Sequence, residues 1–305
     1  MSRLSASGCP RIDYDFVVNK TFGKAGDAAI GQGLRSDAIA QAAALAPDCV
    51  ECVPSVESTN LTLMSALLAG DPILPRVLVA SRQTAGRGRR GRVWLSQEPD
   101  CLTMSVSLHR IRSHSLPTLA GLPLALGVAI AQLLSRNVQG IRLKWPNDLL
   151  RDDRKFAGML VETRIVDGYE RVVIGLGLNW RLADEVADAL GAVATGLFDA
   201  LPTPSQREQL AGQLAGAMIS AAQAFFEAGF DDTAARWEPF DWLRNRSVVV
   251  LGAGGIEMAG VADGLGPAGV LRLLTTQGVR LIAAGDISVR DARDPSLQQG
   301  REGLR

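Results

Sequence analysis

The chain has 305 residues, 47% of them hydrophobic and 21% charged, which leaves room for two ordinary domains or one large domain with a small appendage. Its 32 lysines and arginines balance 32 aspartates and glutamates, so a general nucleic-acid coat is excluded and any basic function must be local. No apolar run approaches the roughly 20 residues that cross a bilayer, and Met1 to Pro10 lacks the apolar core of a secretory signal; a cytoplasmic address without membrane attachment is the expectation.

Residues 1 to about 35 are rich in Gly, Ser and Asp without sustained periodicity and read as a mobile extension. Ser36 to Ala46 reads as a short alanine-rich helix, with Ser36 as its N-cap and Pro47 beyond its end. From Cys49 short β-rich runs alternate with helical stretches. The strands are expected at Val77–Ala80, Leu102–Leu108, Ile141–Lys144, Ala157–Glu162 and Val172–Leu178. The helices are expected at Asn60–Leu68, Leu116–Arg136 and Pro204–Ala228, the last with apolar residues at three- and four-residue spacing. Between Ser247 and Arg290 short strands are broken by Gly252-Ala-Gly-Gly255, Asp263-Gly264 and Gln277-Gly278, the pattern of a small β-barrel or meander. The expected division is an extension over 1–48, a mixed α/β domain over 49–243, a small β domain over 244–292 and a tail over 293–305.

The segment Ser81 to Arg92 places five arginines and three glycines in twelve residues. Glycines let backbone N–H groups approach a ligand, and guanidinium forks suit phosphate or carboxylate. Taken alone, a flexible basic loop or a nucleic-acid contact is the readier explanation. It is not a Walker A loop, because the order G-x-x-x-x-G-K-[ST] is missing. Lys144-Trp-Pro-Asn-Asp148 closes a strand and presents a lysine, an amide and a carboxylate together; the lysine suits a phosphate, and Asp148 suits Mg²⁺ or a proton. Lys155 opens Lys155-Phe-Ala-Gly158 at the mouth of the next strand, and two lysines beside an arginine loop point to an anionic ligand such as ATP. Gly175 and Gly177 would let a flat ligand lie against their strand. Neither they nor Gly252 and Gly254 complete a dinucleotide fingerprint, since the third glycine and the following helix are absent. In Glu57-Ser-Thr-Asn60, Ser58 or Thr59 reads as a helix N-cap, although the same groups suit a small polar ligand. Cys49 and Cys52 form a C-x-x-C, but Cys9 and Cys101 are lone and only His109 and His114 supply imidazole, so two ordinary cysteines near a strand are expected there rather than a zinc or redox site.

In this order, Glu57–Asn60, Gln83–Arg92, Lys144–Asp148, Lys155–Glu162 and Gly175–Asn179 resemble the biotin–protein ligase family. The resemblance implies an α/β catalytic domain (a mixed sheet) related to class II aminoacyl-tRNA synthetases and lipoate ligases, followed by a small SH3-like barrel. It implies a biotin pocket lined by Ser58, Thr59, Asn60, Gln83, Arg87, Gly88, Arg89, Lys155 and Gly158. The nucleotide falls to Arg87, Arg90, Lys144, Asn147, Asn179 and Trp237, with Asp148 on Mg²⁺. Lys155, Arg89 and Asp148 are the implied catalytic groups. The substrates are biotin and ATP, joined as biotinyl-5′-AMP before transfer to a lysine of a biotin carboxyl carrier protein domain. A homodimer is compatible with the resemblance.

Thr84 departs from the family pattern, where a second glutamine is common. Some members also carry a DNA-binding domain, but no recognition-helix pattern precedes Cys49, so the ligase-only type without specific DNA binding is expected. Two rivals carry a different signature. A lipoate or other acyl ligase would replace the arginine loop, and a nucleic-acid regulator would need a DNA-reading element.

Overall fold

A computed structural model of the chain describes residues 33–70, 75–94, 100–112, 118–182, 194–252, 255–285 and 288–292. Residues 1–32 of the expected extension and the tail over 293–305 lie outside the described residues. In chain order the elements begin with α1 (Ser36–Ala43), β1 (Val50–Val56), α2 (Thr59–Leu68), β2 (Arg76–Gln83) and β3 (Cys101–Ile111). Next come α3 (Leu122–Leu134), β4 (Ile141–Lys144), β5 (Asp148–Arg151), β6 (Arg154–Val166), β7 (Tyr169–Asn179) and α4 (Pro204–Ala228). The last are α5 (Thr233–Trp237), β8 (Ser247–Gly252), β9 (Gly255–Leu265), β10 (Leu271–Thr275), β11 (Gly278–Ile282) and β12 (Ser288–Asp291). They form two compact units, one drawn from Met1–Ser115 and Arg154–Gln223, the other from Leu116–Asp153 and Ala224–Arg305.

In the first unit the strands run in the order β1-β2-β3-β7-β6, with β1 parallel to β2 and the remaining pairs antiparallel. Parallel neighbours need a crossover, and α2 provides it. β6 and β7 are joined through Asp167 and Gly168, both at positive φ (51° and 76°), as a two-residue primed turn requires. Val77 to Ala80 is apolar without a break and at most 1% exposed, because both faces of β2 are covered. On β3 the alternation is polar against apolar, yet Thr103, Ser105 and Ser107 are as buried as Leu102, Met104 and Val106. The cover on that polar face is α2, whose Leu63, Met64 and Leu67 pack on Leu78 and Val173. The expected stripe on α4 is present as Leu210, Ala211, Leu214, Ala215, Met218, Ile219 and Ala222, all buried. Gly212 lets α1 approach: a methyl there would sit 2.5 Å from both Ala42 Cβ and Ile39 O. The expected cap is corrected, because α1 starts at Ser36 itself and Arg35 holds the capping position without a side-chain bond.

In the second unit α3 is preceded by a 3₁₀ turn over Leu119–Gly121 and begins at Leu122, six residues after the expected start; part of the difference falls outside the described residues. β4 and β5 form a hairpin through the cis Trp145–Pro146 bond. Trp145 is 2% exposed and donates from its indole N–H to Gly269 O at 3.0 Å, fastening the hairpin to the turn before β10. Leu143 bridges to Asp241, and Trp242 N–H donates to Leu143 O at 2.9 Å. The strands β11-β10-β9-β8-β12 form an antiparallel sheet in that order. Among the described residues this sheet keeps two edges and does not close. No described helix is long and apolar enough to cross a membrane.

Candidate functional site

Thr59 and Asn60, at the start of α2, meet the covered face of β3. Ser58 occupies the N-cap position, but its hydroxyl makes no capping bond; the cap expected of Ser58 or Thr59 is corrected in that sense. Thr59 donates from its N–H and its hydroxyl to Gln83 Oε1, at 2.8 and 3.1 Å. Ser105 Oγ lies 2.6 Å from Thr59 Oγ1 and 2.6 Å from Asn60 Oδ1, and its one proton serves one of them at a time. Asn60 Nδ2 donates to Leu160 O at 3.2 Å and to Glu162 Oε2 at 2.9 Å. Ser58, Thr59, Asn60 and Ser105 are each at most 4% exposed. A buried polar group without a partner costs about 1–3 kcal/mol, so this network resists rearrangement.

Glycine makes the network sterically possible. Gly175 stands opposite Ser105 on β3 and opposite Leu160 on β6, and the Asn60 amide fills the place its side chain would take. Gly177, opposite Thr103 and Gly158, is covered in the same way by the Trp94 indole. The flat group that lies against this strand therefore belongs to the protein itself. Above it, Lys155 Nζ stands 5.9 Å from the Trp94 ring centre.

Residues 84–94 fold as a small hairpin on this frame. Trp94 N–H donates to Gly86 O (2.9 Å), Gly88 N–H donates to Arg92 O (2.7 Å), and Arg87 bridges to Val93. Its tip turns over Arg89–Gly91, with Arg90 and Gly91 in the left-handed region at φ of 60° and 71°. Arg87 Nη2 lies 3.5 Å from Glu162 Oε1.

The first unit therefore brings Ser58, Thr59, Asn60, Gln83, Arg87, Gly88, Arg89, Arg90, Lys155 and Gly158 onto one strand-and-hairpin frame. Asn179 also lies in this unit, but its amide faces the following segment: Nδ2 donates to Thr195 O at 3.2 Å and Oδ1 accepts from Cys101 Sγ at 3.8 Å. Lys144, Asn147, Asp148 and Trp237 belong to the second unit. There Lys144 and Asp148 face each other across the hairpin, and Lys144 Nζ stands 5.1 Å from the Trp242 ring centre. Arg246 stacks on the same ring at 4.2 Å, and the Trp242 indole N–H donates to Asp153 at 2.6 Å. Trp237 is 2% exposed, inside the core beside α3.

Sequence reasoning gave no role to Ser105, Glu162 or Trp94. The available signal for Ser105 was the Thr-Ser-Ser alternation inside an otherwise apolar strand. Among the described residues no three His, Cys, Asp or Glu side chains gather as a metal site. Among the described residues Cys49, Cys52 and Cys101 form no disulfide. Burial, then the nearby carboxylates of Glu208, Glu51 and Asp37, pushes the Cys52 pKa from 9.0 up to about 12, the opposite of a redox-active thiol.

Residues 52–179 match the biotin/lipoate A/B protein ligase family. The chain is 32% identical over 248 residues to the bifunctional ligase/repressor BirA of Salmonella typhimurium, covering 80% of this chain and 75% of that protein. It is 34% identical over 169 residues to the biotin--[acetyl-CoA-carboxylase] ligase of Mycobacterium tuberculosis, covering 54% of this chain and 60% of that one. Among solved structures, the biotin protein ligase from Aquifex aeolicus in complex with biotin and ATP superposes with a TM-score of 0.65 at 28% identity, over 80% of this chain and 99% of that one. The chain belongs to the biotin/lipoate A/B protein ligase family, among its biotin–protein ligases.

Proposed function

We propose that this chain activates biotin with ATP as biotinyl-5′-AMP and transfers it to a lysine of a biotin carboxyl carrier protein domain. The observation that carries the reading is the Gln83–Thr59–Ser105–Asn60 network, buried at all but half-buried Gln83, with the arginine hairpin and Lys155 on its frame. A fixed array of donors and acceptors suits a small polar head group, and the adjacent cations suit the carboxylate and phosphate that react.

A carboxylate oxygen of biotin attacks the α-phosphorus, and pyrophosphate leaves. Arg87, Arg89 and Lys155 stabilise the charge gathering on the phosphate oxygens. The acceptor amine then attacks the carbonyl of the mixed anhydride, and AMP leaves. Asp148 orients or deprotonates that amine. Arg90, Lys144, Asn147 and Asn179 are assigned to the nucleotide, and Ser58, Gly88 and Gly158 to biotin. Trp237, buried beside α3, is assigned to the adenine. Asp148 would hold Mg²⁺, and the ion would supply charge neutralisation on the phosphates.

The division into a catalytic domain over 49–243 and an SH3-like domain over 244–292 belongs to this proposal, as do a cytoplasmic address, a homodimer and the absence of specific DNA binding. The test is transfer itself. Incubated with ATP, Mg²⁺ and biotin, the protein should label a carrier domain on one lysine and leave the Lys→Arg carrier unlabelled. Labelling of both carriers, or of neither, overturns the reading.

A further inference from the structure

The geometry points to Glu162 as the positioning residue that docks the arginine hairpin on the pocket frame. Its catalytic consequence rests on the function proposed above, while its structural consequence does not. Glu162 lies on β6, two residues beyond Leu160, and its side chain is 18% exposed. Oε2 accepts from Asn60 Nδ2 at 2.9 Å, and the other Asn60 N–H goes to Leu160 O at 3.2 Å. Both amide protons are then used, and Oδ1 accepts from Ser105 at 2.6 Å. An ionised carboxylate only accepts. A flipped Asn60 would turn its carbonyl toward Leu160 O and Glu162, so Glu162 fixes the sense of the whole network. With Oε2 committed to Asn60, Oε1 is left facing Arg87 Nη2 at 3.5 Å.

The hairpin needs such a partner. Residues 84–94 carry Arg87, Arg89, Arg90 and Arg92 and no carboxylate, so their mutual repulsion opposes a compact loop. Glu162 supplies a negative charge from the sheet, and Asn60 keeps that charge in place. One residue thus links the pocket floor to the loop above it. A change at Asn60 reaches Arg87 through a single carboxylate.

The test is Glu162→Gln, which keeps an acceptor for Asn60 but removes the charge. Hydrogen exchange at the Gly88 and Trp94 amides, both donors within the hairpin, reports docking without any need for activity. The Arg87 side chain is 52% exposed, so the expected acceleration is modest, about threefold to fivefold. In an Arg87→Gln background the same substitution should add nothing, because the partner is already gone. Arg87→Gln alone, a change at an exposed side chain, should give the same acceleration and decides the question even if Glu162→Gln folds poorly. A thermal midpoint close to that of the unaltered protein separates docking from a general loss of structure. For the reaction, kcat/KM for biotin should fall by a similar factor in the unaltered background and not in the Arg87→Gln background. Unchanged exchange, or effects that add across the two substitutions, would overturn the assignment. If the unaltered protein forms no acyl adenylate, the functional reading fails, and the exchange experiment still decides the role of Glu162.

Discussion

Gly175→Ala tests whether the polar network is a fixed frame. The added methyl would stand 2.9 Å from Asn60 Cγ and 3.2 Å from its Nδ2. Asn60 is 4% exposed and held by Ser105, Leu160 and Glu162, so it has no open direction in which to retreat. β7 must shift and Asn60 must also part from some of its partners, so both costs apply together. Overpacking of this kind costs about 1–3 kcal/mol, and orphaned buried groups cost about 1–3 kcal/mol. Replacing glycine within a strand recovers about 0.5–1 kcal/mol, so the net loss should be about 2–4 kcal/mol. Urea denaturation measures it, and calorimetry with biotin should show affinity weakened at least ~10-fold. Gly168→Ala is the comparison. Nothing lies within 4 Å of that position and its φ is +76°, so only backbone strain of about 1–2 kcal/mol applies, with biotin affinity unchanged. If Gly175→Ala proves no less stable than Gly168→Ala and binds biotin normally, Asn60 is not fixed as described.

Four further outcomes follow. Lys155→Ala should lower adenylate formation by at least ~100-fold while the fold survives, the scale of one lost charge-stabilising donor; single-turnover assays within threefold of the unaltered rate would remove Lys155 from the chemistry. Trypsin should cut within residues 87–92 rapidly in the free protein and slowly with biotinyl-AMP, and equal rates would count against contact between the arginine hairpin and the adenylate. Because the folded Cys52 thiol titrates near 12 against 9.0 for the free thiol, its contribution is fully present below pH 9 and lost as pH rises toward 12, by roughly 1.4 kcal/mol per unit; Cys52→Ser should flatten that part of the stability profile. A gel shift with biotin-operon operator DNA at physiological salt should show only weak, salt-sensitive binding, and tight binding that resists excess random DNA would contradict the ligase-only reading.

Most of the first unit was legible because its signals are periodic. The stripe on α4 and the apolar run of β2 each report burial directly, and Pro204–Ala228 matches its expected bounds. Strand ends were not legible: His109, Arg110 and Arg164 carry no apolar signal and are held in their strands by the ladder to β7. The first unit's motif residues share one strand-and-hairpin frame, but what joins them did not show in the sequence. Ser105 becomes distinctive only once the start of α2 lands on β3, and Glu162 only once β6 is in register with β7. In the sequence, the glycines at 175 and 177 look like room for a ligand. They make room for Asn60 and Trp94, a distinction that spacing alone cannot draw. The compact units also cut across the expected division at residue 243, because Trp145 and Trp242 tie the β4–β5 hairpin to the C-terminal sheet and its lead-in segment.

The central claim is that the pocket and its cations activate biotin. The most direct measurement mixes the purified protein with ATP, Mg²⁺ and either biotin or lipoate, without any acceptor protein, and reads the products by mass spectrometry. The account predicts biotinyl-AMP and pyrophosphate in equal amounts, with lipoyl-AMP at least ~100-fold slower, because the dithiolane ring cannot satisfy a site built for hydrogen bonds. Lipoyl-AMP formed as fast as biotinyl-AMP, or no acyl adenylate from either acid, would contradict it.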